Sequence, residues 1–456
     1  MMKMTPLIIL GAMLVTSEAR PFKIEVIDEE SGWPVPLVEL TTTHKVTFIT
    51  DNAGIIAIDL PELMGRETWF TIRSDGYELI KDGFGYRGLR LTPSPDKTAL
   101  IRLKRTIIAK RLGRLTGAGI FAESQKCGEH LDWKESGIFG CDSIQMATHR
   151  GKKFWAWGDS NLSRYPLGIF DMTSATTSLS PLKKFQPPIK IKFDYFKDES
   201  GQPRAVAKIP GDGPTWLNAY VSLSDQSGNP HLVATYSKIR NFLEVYEMGL
   251  CEWNEQDQRF EPLKRLWEKS DDEPQPRIAP EGHPVFWTDK QGKRWLLFGD
   301  PFPFLRMPAT YEAWQDPLQW QRLDPPKRLE QNGSGKMVTP HRGSIAWNAF
   351  RKKWVAVFTQ IGGFPSPLGE IWYAEADQPS GPWGKAIKIL SHENYTFYNP
   401  RLHQDFTPEG SPILLFEGTY TNTFSNNPNK TPRYDYNQIL YRLDLDDPKL
   451  APITAP

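Results

Sequence analysis

Apolar and polar residues alternate along much of this chain with the two-residue period of β-strands, and the alternation comes in hairpins. One unit recurs: a short strand opening on a polar residue, a turn carrying Gly or Lys, an apolar strand, and a small polar exit. It is found at residues 141–160 (CDSIQMATHRGKKFWAWGDS), 218–237 (NAYVSLSDQSGNPHLVATYS), 282–301 (GHPVFWTDKQGKRWLLFGDP), 341–360 (HRGSIAWNAFRKKWVAVFTQ) and from Tyr395 onward. GKRWLLFGDP in the third copy echoes GKKFWAWGDS in the first. The last copy holds strand-like runs at 399–406, 412–417 and 438–445. The turns fall roughly sixty to eighty residues apart, a spacing that suits four-stranded blades with long loops. An all-β chain is predicted, with a five-bladed β-propeller over 127–450 whose closure removes most exposed sheet edges.

Ahead of the repeats, the runs FKIEVID, VPLVELTT, HKVTFITD and GIIAIDL are separated by turn signals at Ser31-Gly32, Asp51 to Gly54 and Asp75-Gly76. This predicts a sandwich of short strands over 21–105. Acidic residues here, such as Asp28, Glu29 and Asp51, read as turn formers. The order of turns and strands resembles the transthyretin-like, or carboxypeptidase-regulatory-like, modules, which implies an Ig-like β-sandwich accessory without catalytic residues. Residues 106–126 are basic and contain glycine; they read as a connector, with Lys110, Arg111 and Arg114 as a solvated cluster or a contact patch. The first nineteen residues combine Lys3, an apolar run and small residues at Ser17 and Ala19, as in a cleavable secretory signal. A secreted or periplasmic protein without a membrane span is expected.

Charge excludes some functions. Lys plus Arg number 55 against 54 Asp plus Glu, so no overall field recruits nucleic acid or an acidic membrane. Three cysteines are too few for a disulfide framework; Cys127 and Cys141 are a possible pair, with Cys251 a buried thiol and no metal-binding spacing among them. A monomer is expected.

In an up-and-down blade, the start of the innermost strand, the end of the second and the start of the third lie at one mouth. The innermost starts are Asp142, Asn218, His283, His341 with Arg342, and Tyr398 with Asn399. The second-strand ends are Asp159, Tyr236, Asp300, Gln360 and Glu417, and the third starts are Glu370 and the 433–437 cluster with Arg433, Asp435 and Asn437. Nearly all are polar, whereas the strand interiors FWAW, LVAT, WLLF, VAVF and ILLF are apolar. Paired carboxylates among aromatic and hydroxyl-binding side chains suggest glycoside hydrolysis: one acid protonates the leaving oxygen while another activates water or attacks.

The Asp at the first strand start, the GD after the second strand, and GEIWYAEADQPSGPW together resemble the five-bladed glycosidases of glycoside hydrolase family 43. They are also similar to the propeller family called domain of unknown function 4185. The resemblance implies a general base at Asp142, against a turn-capping role. It implies an acid in the third blade, where Glu281 stands. Glu417 is the competing acid: it leaves an apolar run, which raises a carboxyl pKa, while an ion pair with Arg433 would lower it. Asp159 shares its repeat position with Asp300 and reads as a turn builder or a catalytic group.

His283 and His341 fit sugar hydroxyls, a central cation or ordinary core hydrogen bonds. Arg342, Glu370, Tyr398, Asn399, Tyr420, Arg433, Asp435 and Asn437 are candidate substrate contacts, or locks of the last blade. Trp216 and Trp287 are candidate sugar platforms; the remaining strand tryptophans read as core. No cofactor is required beyond a possible structural cation at the axis. Two other readings stand beside the hydrolase: a carbohydrate-binding or adhesion propeller, and a lyase or esterase acting on acidic polysaccharide through Arg342, Arg433 and the histidines.

Overall fold

The computed structural model describes residues 20–134, 137–241, 243–270, 274–276 and 278–451; the predicted signal segment lies outside them. The described chain is all-β, with helices only at Glu123–Lys126 and Tyr311–Gln315 and three short 3-10 turns. None of its helices is long and apolar enough to cross a membrane.

Five four-stranded antiparallel sheets follow one another, four with their strands in chain order and the fifth taking its outer strand from upstream of the first sheet. Their innermost strands are Gln145–His149, Thr215–Ser224, Val285–Thr288, Pro340–Asn348 and Thr396–Leu402. The second strands, such as Lys152–Trp157 and Lys353–Gln360, are almost wholly buried because both faces pack on neighbouring sheets. This is why they read as continuous apolar runs. Side chains of consecutive sheets form shared cores, for instance Ala147 and Phe154 with Tyr220 and Trp253.

Polar contacts also step from sheet to sheet. Asn218 Oδ1 accepts from the Gly282 N–H (2.7 Å), Arg342 Nη1 donates to Asp300 (2.6 Å), Thr359 Oγ1 donates to the Phe397 carbonyl (3.2 Å), and Tyr398 Oη donates to Asp142 (2.7 Å). The last of these joins the fifth sheet to the first. All five innermost strands line one cavity of about 380 Å³.

Residues 110–114 correct the connector expected at 106–126. Lys110–Arg114 is a strand and forms the outer edge of the fifth sheet, antiparallel to Asn437–Asp444. Its basic residues are not solvated. Arg111 is fully buried, donating to Tyr441 Oη (3.0 Å), the carbonyls of Pro36 (3.0 Å), Leu37 (3.1 Å) and Asp75, and Ser74 Oγ (2.9 Å). The Asn52 amide clasps the Arg114 backbone in both directions at 2.9 Å. These contacts fasten the N-terminal region to the last sheet.

That N-terminal region holds two four-stranded sheets around one apolar cluster that includes Ile24, Val26, Leu40, Phe70 and Leu103. Phe22–Asp28 alternates buried and half-buried residues as its period predicts and pairs in parallel with Thr98–Arg105. Asp51 serves its turn, accepting from the Ala53 and Ile55 N–H groups. The cysteine pairing expected of Cys127 and Cys141 is not formed: both are buried free thiols, as is Cys251.

Candidate functional site

A backbone device repeats in or just before each innermost strand. Ser143 (φ 44°), Ala219 (φ 56°), Gly282 (φ 80°) and Asn399 (φ 49°) are left-handed, and Gly343 takes the corresponding place in the fourth sheet. Strand register slips at three of these points, between Asn218 and Val221, Pro340 and Gly343, and Tyr398 and Arg401. Such bulges re-aim the adjacent side chain, and non-glycine residues in this region are held there at a cost. The residues just before these five positions are Asp142, Asn218, Glu281, Arg342 and Tyr398, one per sheet.

Asp142 is held from three directions. Tyr398 Oη donates to its Oδ2, the Tyr436 hydroxyl lies against it, and the Gly158 N–H donates to its carbonyl (2.9 Å). A Cβ on Gly158 would collide with Oδ1, so glycine alone fits there. Burial raises the Asp142 pKa, and the tyrosine hydroxyls oppose that rise by stabilising the carboxylate. Asn399 Nδ2 donates to Ser143 Oγ (2.6 Å) and fixes the adjoining bulge.

Asp159 faces Asp142 across the same strand end. Burial, then the negative charge of Asp142, pushes its carboxyl up to about 7. Trp216 from the second sheet stands beside it. Asp159 Oδ1 and Trp216 Nε1 are both buried, and the indole N–H opposes the rise by stabilising the Asp159 carboxylate.

Glu281 comes from the third sheet. Solvent reaches it, yet enough protein surrounds it to raise its pKa; Arg342 opposes the rise and Asp300 adds to it. Asn218 sets the turn beside it, because the same Oδ1 accepts from the Ala219 (2.8 Å) and Gly282 (2.7 Å) N–H groups. Asp300 is committed to the fourth sheet, accepting from Arg342 and from the Gly343 N–H (2.6 Å each). It orients Arg342, whose side chain keeps 42% exposure. His341 is half-buried next to Arg342, and burial lowers its pKa.

Several expected residues lie elsewhere. Glu417 is not at the strand exit: Ile413–Thr421 continues past it, and it is fully buried, meeting His403 Nε2 at 2.5 Å. Burial pushes its carboxyl up to about 8, with Arg401 opposing. The expected partner Arg433 instead pairs with Glu123. Asp435 accepts from Tyr395 Oη (2.7 Å) and the Asn422 N–H (2.8 Å), and Asn437 Nδ2 donates to the Phe139 carbonyl (2.7 Å). Tyr420 is buried, stacked on Tyr395 at 4.1 Å. These residues lock the last sheet. Glu370 is buried against Lys388 (2.7 Å), Tyr236 donates to Glu247 (2.7 Å), and Trp287 packs on the core between the third and fourth sheets. His283 is buried, accepting at Nδ1 from Arg401 (2.8 Å).

Tyr436 and Phe424 are additions. Phe424 is 61% exposed with its ring edge-on to Tyr398, 6.1 Å away. A bulky polar residue followed by a small or turn-forming one (DS, NA, EG, RG, YN) in or just before each innermost strand is the signal that marks these five positions. Among the described residues, no group of three His, Cys, Asp or Glu side chains could hold a metal ion.

No protein-family model matches the chain, and no curated protein does. Solved structures similar to it include a native arabinanase from Bacillus subtilis (11% identity, TM-score 0.35), covering 67% of this chain and 96% of that one. An exo-1,5-alpha-L-arabinanase from a bovine ruminal metagenomic library has 11% identity and TM-score 0.39 over 68% and 94%. An exo-beta-1,3-galactanase from Phanerochaete chrysosporium, with beta-1,3-galactotriose, has 9% identity and TM-score 0.36 over 67% and 61%.

Proposed function

We propose that the five sheets close into a five-bladed β-propeller and that its bulge-lined end hydrolyses glycosidic bonds in an oligo- or polysaccharide. Closure is supported by the Tyr398 to Asp142 hydrogen bond between the last and first sheets and by the cavity common to all five innermost strands. The N-terminal pair of sheets acts as a transthyretin-like accessory.

The observation that carries the hydrolase reading is the set of raised carboxyl pKa values at equivalent strand ends: Asp142 and Asp159 in the first sheet, Glu281 in the third. Glycoside hydrolysis needs two carboxyl groups in opposite protonation states, and environments that push their pKa values apart supply them. Glu281, open to solvent and above its ordinary range, protonates the leaving oxygen as the glycosidic C–O bond breaks. Asp142, whose carboxylate form accepts from tyrosine hydroxyls, takes the proton of an attacking water or attacks the anomeric carbon itself. Asp159 and Trp216 stand side by side as an acceptor and a donor that one sugar hydroxyl can join. Arg342 contacts further hydroxyls, and Phe424 with Tyr398 gives an apolar edge for a sugar face.

Digestion of a glycan panel tests this. The wild type is expected to release products from at least one arabinan, galactan or xylan, and Asp142→Asn and Glu281→Gln to lower that rate by about 10³-fold or more with binding retained. Unchanged turnover in either variant removes that residue from the chemistry. The hydroxyl held against Asp142 favours one second reading, a sugar-binding propeller in which that carboxylate is a clasp; binding without product from any glycan would select it.

A further inference from the structure

The cavity along the five innermost strands is walled in part by a cation that forms no ion pair among the described residues. Arg401 forms part of its wall and is 9% exposed. The guanidinium donates to two neutral acceptors, His283 Nδ1 and the Met146 carbonyl (2.8 Å each). Its Nε is buried with no hydrogen-bond partner. The nearby acids, whose charge favours the guanidinium, are paired with other groups: Asp405, also on the lining, with the buried Lys153, and Glu417 with His403. A buried charge is costly unless it is paired, and a buried N–H left unmet adds to that cost.

We propose that this axial cavity binds a small monovalent anion, a halide or a short carboxylate, against Arg401. The ligand completes the guanidinium's hydrogen bonding and neutralises it. His283 adds a second donor, since accepting at Nδ1 leaves its proton on Nε2. The same charge argues against the axial cation expected from the sequence, which would meet the guanidinium across about 380 Å³ of space. Serine side chains on the lining, Ser222 and Ser344, suit a hydrated anion.

The test is thermal unfolding of the full chain at fixed ionic strength, with gluconate, too large to be held closely, replaced stepwise by chloride or by acetate. A saturable rise in midpoint on the order of 2 °C is expected with one or both, and it is lost in Arg401→Met. A rise with chloride alone identifies a halide site, and a rise with acetate alone a carboxylate site. No rise with either, or an equal rise in Arg401→Met, overturns the proposal. If that variant does not fold, bromide-soaked wild-type crystals decide: anomalous scattering within hydrogen-bonding reach of Arg401 supports the site, and water alone refutes it.

Discussion

Glu417 gives the sharpest separation of a structural acid from a catalytic one. It is fully buried, and its carboxyl is pushed from the ordinary 4.5 up to about 8. Between those values the unfolded chain has lost the proton and the folded chain has kept it, so folding takes up a proton. Stability from this group is therefore fully present below about pH 4.5 and falls by about 1.4 kcal/mol per pH unit as pH rises towards 8. Over the whole window the loss is about 5 kcal/mol. Glu417→Gln keeps the shape and the contact with His403 but removes the titration. His403, which burial keeps neutral, gives the opposite trend below its ordinary 6.5, but it does so in both proteins and cancels in the comparison. Urea denaturation at pH 5, 6, 7 and 8 is thus expected to show the variant gaining on the wild type by about 1.4 kcal/mol per unit, with glycan turnover little changed. A constant difference across pH would refute the buried-acid reasoning, and loss of turnover in a well-folded Glu417→Gln would return Glu417 to the chemistry.

Three further outcomes are expected. Gly158→Ala drives a methyl group into Asp142 and Ser143 and should cut turnover at least tenfold while costing only about 1–3 kcal/mol in stability, measured by kinetics beside chemical denaturation. Phe424→Ala removes an exposed ring at the site's edge and should raise KM about three- to tenfold with kcat and stability unchanged. Arg111→Met leaves the carbonyls of Pro36, Leu37 and Asp75 without their donor and should destabilise the chain by roughly 2–4 kcal/mol, with earlier protease cleavage between the N-terminal sheets and the repeats.

The hairpins of the five sheets were legible because period-two alternation, glycine-bearing turns and apolar second strands are local properties. Asp142, Tyr398 and Arg342 could be picked out for the same reason, since each is a polar residue in or just before an innermost strand. What escaped is set by long-range partners. Lys110–Arg114 looks like a solvated basic connector, and only carbonyls from Pro36 to Asp75 and a strand more than three hundred residues away make it an edge strand with buried arginines. Glu417 follows an apolar run whether that run ends at the residue or continues past it, so its distance from the strand exit could not be read. Arg433 was matched to an acid near it in sequence, while its partner, Glu123, lies far upstream. Trp216 and Trp287 were alike as candidate sugar platforms, yet Trp216 stands beside Asp159 and Trp287 packs into core, a choice made by neighbouring sheets rather than by either strand.

The most direct trial of the hydrolase reading is a crystal structure of Asp142→Asn with an oligosaccharide that the wild type cleaves. The scissile bond is expected between residue 142 and Glu281, with a hydroxyl bridging Asp159 and Trp216 and a sugar face against Phe424. A glycan seated away from these residues, or with both carboxyl positions remote from any glycosidic oxygen, would contradict it.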